Sequence, residues 1–208
     1  MTLFFTADTH FGDHRTINIG RRPFANTADM DAALVANWNA VVRPDDEVWH
    51  LGDVARRPAD VPGLLALLHG TKHLIRGNND PDAVLEAQGW ASVGDYRELE
   101  LDGRRLVLCH YPFRSWNGQH RGAINLHGHS HGRLKPMPRQ SDVGVDVHGF
   151  APVTLAQLLT PTPPGLSTAA EEPEPQRRHG PIAPTPNRQM VVERKTWPGR
   201  STVVGKSG

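Results

Sequence analysis

The sequence predicts an α/β fold. Strand-length apolar runs alternate with helix-length segments through residues 1–90, and beyond them the pattern turns strand-rich around Asp102-Gly103. A third observation bears on function: five apolar runs give out at an aspartate, an asparagine or a histidine.

The first run, TLFFTA (2–7), is β-branched and aromatic and ends at Asp8, as a buried strand would. The segment 26–42 predicts a helix with Asn26 or Thr27 as N-cap, acids in its first turn, Met30, Leu34, Trp38 and Val41 on one face, and Pro44 beyond its end. DEVWHLGD (46–53) reads as a second strand and DVPGLLALLHG (60–70) as a helix closed by Gly70. KHLIRGNND is a third strand with its exit loop, followed by a helix PDAVLEAQ with Pro81 in its first turn. Asp102-Gly103 sits between two alternating runs, a strong hairpin signal. AINLHGHSHG (123–132) and SDVGVDVHG (141–149) read as two more strands, and TLAQLL (154–159) as a last short helix. Residues 161–208 hold nine of the 18 prolines and few apolar groups, which predicts a disordered tail after a domain spanning 1–160.

The net charge is +1, from 23 Lys+Arg and 22 Asp+Glu, which supplies no strong electrostatic reason for nucleic acid or membrane as a partner. The excess is in the tail, where seven basic and four acidic residues give +3 and leave the first 160 residues at −2. A slightly acidic domain suits bound cations. Cys109 is the only cysteine, so no intrachain disulfide forms, and the opening MTLFFTADTHFG has neither the basic stretch nor the apolar length of a signal or membrane segment. A cytoplasmic enzyme is the expectation.

The strand-end residues are Asp8 with His10, Asp53, Asn78, His110, and His129 with His131. In open α/β sheets ligands sit beyond the carboxyl ends of strands, so such side chains converge although scattered in sequence. Oxygen and imidazole donors in this mixture suit hard and borderline divalent metals, and one carboxylate can bridge two of them. In an extended segment His129 and His131 would face the same side. For GHSH alone a solvated histidine-rich loop is the competing reading.

DTH (8–10), GD (52–53), GNND (77–80), CH (109–110) and GHSH (128–131), in that order, resemble the motif set of the calcineurin-like metallophosphoesterases. DTHFGDH, RRPF, WN and GVDVHGF are similar to the small single-domain bacterial and phage branch of that family. The resemblance covers roughly residues 1–160 and implies a two-sheet β-sandwich flanked by helices. It also implies that Asp8, His10 and His131 hold one divalent ion, that Asn78, His110 and His129 hold a second, and that Asp53 bridges them. Mn, Fe, Zn and Ni all suit such a shell, Mn being favoured. The implied chemistry is in-line attack of a metal-bound hydroxide on a phosphate mono- or diester.

Asn79 departs from the family pattern, which often places a histidine there to protonate the leaving group. An amide has no proton to give near neutral pH, and losing a general acid costs about 10²–10⁴-fold on a poor leaving group. Asp80, which in the pattern orients that histidine, would lose its partner. The catalytic candidates are therefore Asp53, Asn79, Asp80 and, as a substitute acid at the site mouth or else an exposed loop histidine, His14. His120, Arg114 and Arg121 are candidates to grip the phosphate. Trp116 reads as packing rather than a base-stacking platform, Cys109 as buried, and Asp142 and Asp146 as partners of metal-binding histidines. The substrate class is phosphate esters, with diesters or activated esters favoured by Asn79. A nuclease aided by the basic tail and a metal-retaining interaction module are the alternatives, and the oligomeric state is open.

Overall fold

Alternation along three short strands sorts their side chains onto two sides of one sheet. In β1 (Leu3–Thr6), β2 (Glu47–His50) and β3 (Thr71–Ile75), Phe4, Val48 and Leu74 join a core with the helices, whereas Phe5, Trp49 and Ile75 join a core shared with a second sheet. The computed structural model describes residues 1–160. The predicted disordered tail lies outside the described residues.

The first sheet has five strands in the order β4-β3-β2-β1-β9, where β4 is Trp90–Gly94 and β9 is Val153–Thr154. Its first four strands are parallel and β9 is antiparallel to β1. The second sheet orders β5 (Arg97–Leu101), β6 (Arg104–Leu108), β7 (Ile124–His127) and β8 (Gln140–Asp142). Asp102 and Gly103, both at positive φ, turn β5 into β6 as the hairpin signal predicts. Between the sheets Leu106, Leu108, Ile124 and Leu126 meet Phe5, Trp49, Leu51 and Ile75.

The outer face of the first sheet is covered by α2 (Thr27–Val41) and α3 (Val61–Leu67). Asn26 caps α2, its side chain accepting from the Asp29 N–H at 2.9 Å, and Met30, Leu34 and Trp38 are buried as predicted. Val41 is not: it is 40 % exposed, and Val42, just past the helix, takes the core position. The outer face of the second sheet carries Val107, Trp116 and Ala123, with the 3₁₀ turn Gln119–Arg121 beside them. Trp116 is thus packed, its Nε1–H donating to the Ala123 carbonyl at 2.9 Å. The two-sheet, helix-flanked α/β class holds.

Three local expectations change. The helix after Pro81 is only α4, Asp82–Leu85, with Pro81 at its N-cap. The strand of the GHSH segment stops at His127, and that of SDVGVDVHG at Asp142, after which Val145–Val147 form a 3₁₀ turn. A short helix α1, His14–Ile19, follows the first motif and is capped by Asp13. The closing helix α5, Leu155–Leu159, forms with a reciprocal Thr154–Gln157 cap.

Candidate metal centre

Five of the seven expected ligands stand in left-handed backbone: Asp8 (φ 58°), His10 (50°), Asp53 (60°), His129 (67°) and His131 (49°). Each such residue costs on the order of 1–3 kcal/mol and persists only where its surroundings over-determine it. The bracing is visible. The Asp8 N–H donates to the Gly52 carbonyl at 2.9 Å and the His10 N–H to the Asp53 carbonyl at 3.0 Å, tying the first two strand exits together. Asp80 accepts from the N–H groups of Asp53 (2.7 Å), Val54 (2.9 Å) and Gly77 (2.9 Å), tying the second exit to the third. Asp142 accepts from Ser130 Oγ at 2.6 Å and from the Gly132 and Gly144 N–H groups at 2.9 and 2.7 Å, which holds the turn carrying His129 and His131.

Buried Arg22 braces the first exit from inside. Its guanidinium donates to the Asp8 and Thr9 carbonyls at 2.6 and 2.9 Å and forks onto both oxygens of Asp146 at 2.8 and 2.9 Å. Asp146 in turn accepts from His131 Nδ1 at 2.7 Å, which turns Nε2 of that ring toward the site. Burial raises the Asp146 carboxyl, but the bonds from His131 and Arg22 outweigh it and hold the pKa down to about 2.

The donors converge. Asp8, His10 and His131 bring ligand atoms within 4.8 Å of one another, and so do Asp8, Asp53 and His110. His10 Nε2 lies 3.5 Å from Asp53 Oδ2, and His110 Nε2 lies 3.7 Å from Asp53 Oδ1, so Asp53 stands between the two groups. Asn78 Oδ1 is 3.1 Å from His110 Nε2, and the His129 ring is 5.2 Å from the His110 ring, centroid to centroid.

Three observations test whether these residues suit cations. His10 Nε2 is buried with no hydrogen-bond partner, and burial pulls the ring down to about pKa 4, so near neutral pH the ring is uncharged and Nε2 is left unpaired in the site. His110 Nδ1 donates to the Leu51 carbonyl at 2.7 Å, which turns Nε2 inward, 3.1 Å from Asn78 Oδ1 and 3.7 Å from Asp53 Oδ1. Burial raises the Asp8 carboxyl well above the usual carboxylate range, and the charges of Asp142 and Asp53 raise it further. A carboxylate crowded by other acids in a buried site is relieved by a bound cation. The residues fit divalent metal ions.

The remaining expected site residues divide. Asn79 is at the centre, donating from its backbone N–H to Asp53 Oδ1 at 2.8 Å and from its side-chain amide to Asp53 Oδ2 at 2.6 Å. Asp80, far from lacking a partner, is fully engaged as the backbone clamp described above. His14 is exposed on α1 and does not line the cleft. Arg121 lines a separate depression with Glu100 and Arg105, His120 shares its 3₁₀ turn, and Arg114 is exposed outside the cleft; the 111–123 loop covers the outer face of the second sheet instead of bordering the centre. The cleft over the centre, about 200 Å³, is walled by Arg15, Thr16 and Ile19 of α1 and by Arg133. Neither arginine was singled out from sequence. Asp13 N-capping α1 was the available signal for this wall.

A two-sheet sandwich whose strand-end loops gather imidazoles and carboxylates around Asp53 defines an α/β protein with candidate metal-ligand groups. Residues 1–145 match the family model described as calcineurin-like phosphoesterase superfamily domain, and the chain belongs to that family. An uncharacterized protein of Methanocaldococcus jannaschii is 32% identical over 168 residues, covering 76% of this chain and 89% of that one. The gene 66 protein of Mycobacterium phage D29 is 31% identical over 185 residues, covering 73% and 92%. Among solved structures, a protein of unknown function from Aquifex aeolicus shares the fold with a TM-score of 0.58 at 23% identity, covering 73% of this chain and 94% of that one. The chain is thus a member of a phosphoesterase family with candidate metal-ligand groups at its strand ends.

Proposed function

We propose that the chain hydrolyses phosphate esters with two divalent metal ions, Mn²⁺ being favoured, held by Asp8, His10 and His131 on one side of Asp53 and by Asn78, His110 and His129 on the other. The observation that carries this reading is the convergence of imidazole, carboxylate and amide groups on Asp53, above all the orphaned His10 Nε2 and the inward-turned His110 Nε2 beside Asn78 Oδ1. When bound, such a pair supplies a lowered water pKa and neutralises charge on the phosphoryl oxygens.

The chain's own residues set the rest. Asp146 and the Leu51 carbonyl fix the tautomers of His131 and His110, so each ring offers Nε2 inward. Asn79 holds both oxygens of Asp53 in place but has no proton to give, so no side-chain acid at that position assists the leaving group. Phosphodiesters or activated esters with good leaving groups are the substrates this arrangement favours.

The test is turnover of aryl phosphate mono- and diesters by the purified full chain with Mn²⁺, before and after chelation. Metal-dependent turnover, greater on the diester and abolished in Asp53→Ala, supports the reading. Absence of turnover on either ester with two metals bound overturns it.

A further inference from the structure

The cleft over the metal centre has two walls, and the turn that carries two of the imidazoles also supplies one of them. Arg133 follows His131 by two residues, and its backbone N–H donates to the Ser130 carbonyl at 2.9 Å. Ser130 Oγ is itself bonded to Asp142, so the backbone bearing Arg133 is braced with the backbone bearing His129 and His131. Across the cleft, Arg133 Nη2 donates to the Ile19 carbonyl at 2.9 Å, at the end of α1. One N–H is used in this way, and the remaining fork is unspent.

The other arginines near the centre are committed. Arg15 grips both oxygens of Asp13 at 3.0 Å from Nε and 2.6 Å from Nη2, so its charge is compensated. Arg22 is buried and occupied by Asp146 and two carbonyls. Arg76 pairs with Asp82 at 3.1 Å. Among the described residues Arg133 has no carboxylate within ion-pair distance, and it lines the cleft with His131, Asp53 and Asn78. Opposite it, Ile19 is left 66 % exposed at the lip, an apolar surface beside a cationic one.

A planar guanidinium with free N–H groups, held at a fixed offset from a site that orients phosphorus, matches the two non-bridging oxygens of a phosphate. We propose that Arg133 is a substrate-binding residue: its fork binds the ester's non-bridging oxygens, while Thr16 and Ile19 receive the ester's organic group. This rests on the hydrolase reading above.

The experiment uses the full chain loaded with Mn²⁺, as wild type, Arg133→Ala and Arg133→Lys. Three quantities are read: metal content, calorimetric affinity for inorganic phosphate, and KM and kcat on an aryl phosphodiester. Arg133→Ala is expected to keep its metal, to bind phosphate about 10–100-fold more weakly, and to raise KM more than it lowers kcat, since a charge-assisted bidentate contact is lost. Arg133→Lys recovers part of the affinity, having the charge without the fork. Intact metal content with phosphate affinity and KM within about twofold of wild type overturns the proposal, and so does loss of metal in both variants, which would make Arg133 a structural brace. If the wild type turns over no ester yet binds phosphate through Arg133, the hydrolase reading fails and the binding role stands.

Discussion

Removing the Asp80 carboxylate separates a structural role from a chemical one. Asp80 Oδ2 accepts from the Asp53 and Gly77 N–H groups and Oδ1 from the Val54 N–H, all in a buried setting. Asp80→Asn keeps an oxygen for the first two donors, but its NH₂ then faces the Val54 N–H, losing one charge-assisted bond and stranding a donor. That loss costs about 2–4 kcal/mol, and Asp80→Ala, which strands all three donors, about 3–5 kcal/mol after partial hydration. Against a usual total of about 5–15 kcal/mol these are large fractions. Urea denaturation monitored by tryptophan fluorescence, with metal content measured alongside, should rank wild type above Asn above Ala. An Asp80→Asn protein as stable as wild type and as rich in metal, yet inactive, would refute the clamp and return Asp80 to the chemistry.

Other perturbations address separate parts of the site. The Asp146 carboxyl sits near pKa 2 in the folded chain against 3.8 ordinarily, so its ion pairs contribute about 2 kcal/mol that is present above pH ~4 and lost as pH falls toward 2. The stability gap between wild type and Asp146→Asn, read by urea denaturation, should therefore shrink between pH 5 and pH 2.5; a constant gap would contradict the assignment. A Cβ added at Gly128 would stand 2.7 Å from Asp8 Oδ2, so Gly128→Ala should destabilise by about 1–3 kcal/mol and lower metal content, as elemental analysis would show. Asn79→His should raise turnover on alkyl esters by about tenfold or more and leave aryl esters nearly unchanged. Equal effects on both would mean that position 79 acts by holding Asp53 alone.

The sequence made the site's donor atoms legible because each motif falls where a buried run ends, and strand ends converge by topology. It also marked the Asp102-Gly103 hairpin and the Asn26 cap, whose chemistry is local. His129 and His131 were expected to share a face of an extended strand, whereas both lie beyond β7 in left-handed turns. Nothing local announces that geometry, which depends on Asp142 gripping the turn from further along the chain. Arg22 escaped notice for the same reason, since its bonds to Asp146 span 124 positions. The helix α1 buries no side chain, so it leaves no apolar periodicity to read. Arg114 and Arg121 read from the sequence as candidate phosphate contacts, but Val107, Trp116 and Ala123 pack the 111–123 loop onto the far face of the second sheet. The cleft-lining Arg15 and Arg133 became identifiable only once α1 and the histidine turn were seen to face each other.

The residues around Asp53 are proposed to hold two metal ions. Crystals of the full chain grown with Mn²⁺ and measured at the manganese absorption edge test it directly. Two anomalous peaks flanking Asp53 are expected, one reached by Asp8, His10 and His131 and the other by Asn78, His110 and His129. A single peak, or density with His10 Nε2 and Asn78 Oδ1 turned away from it, would contradict it.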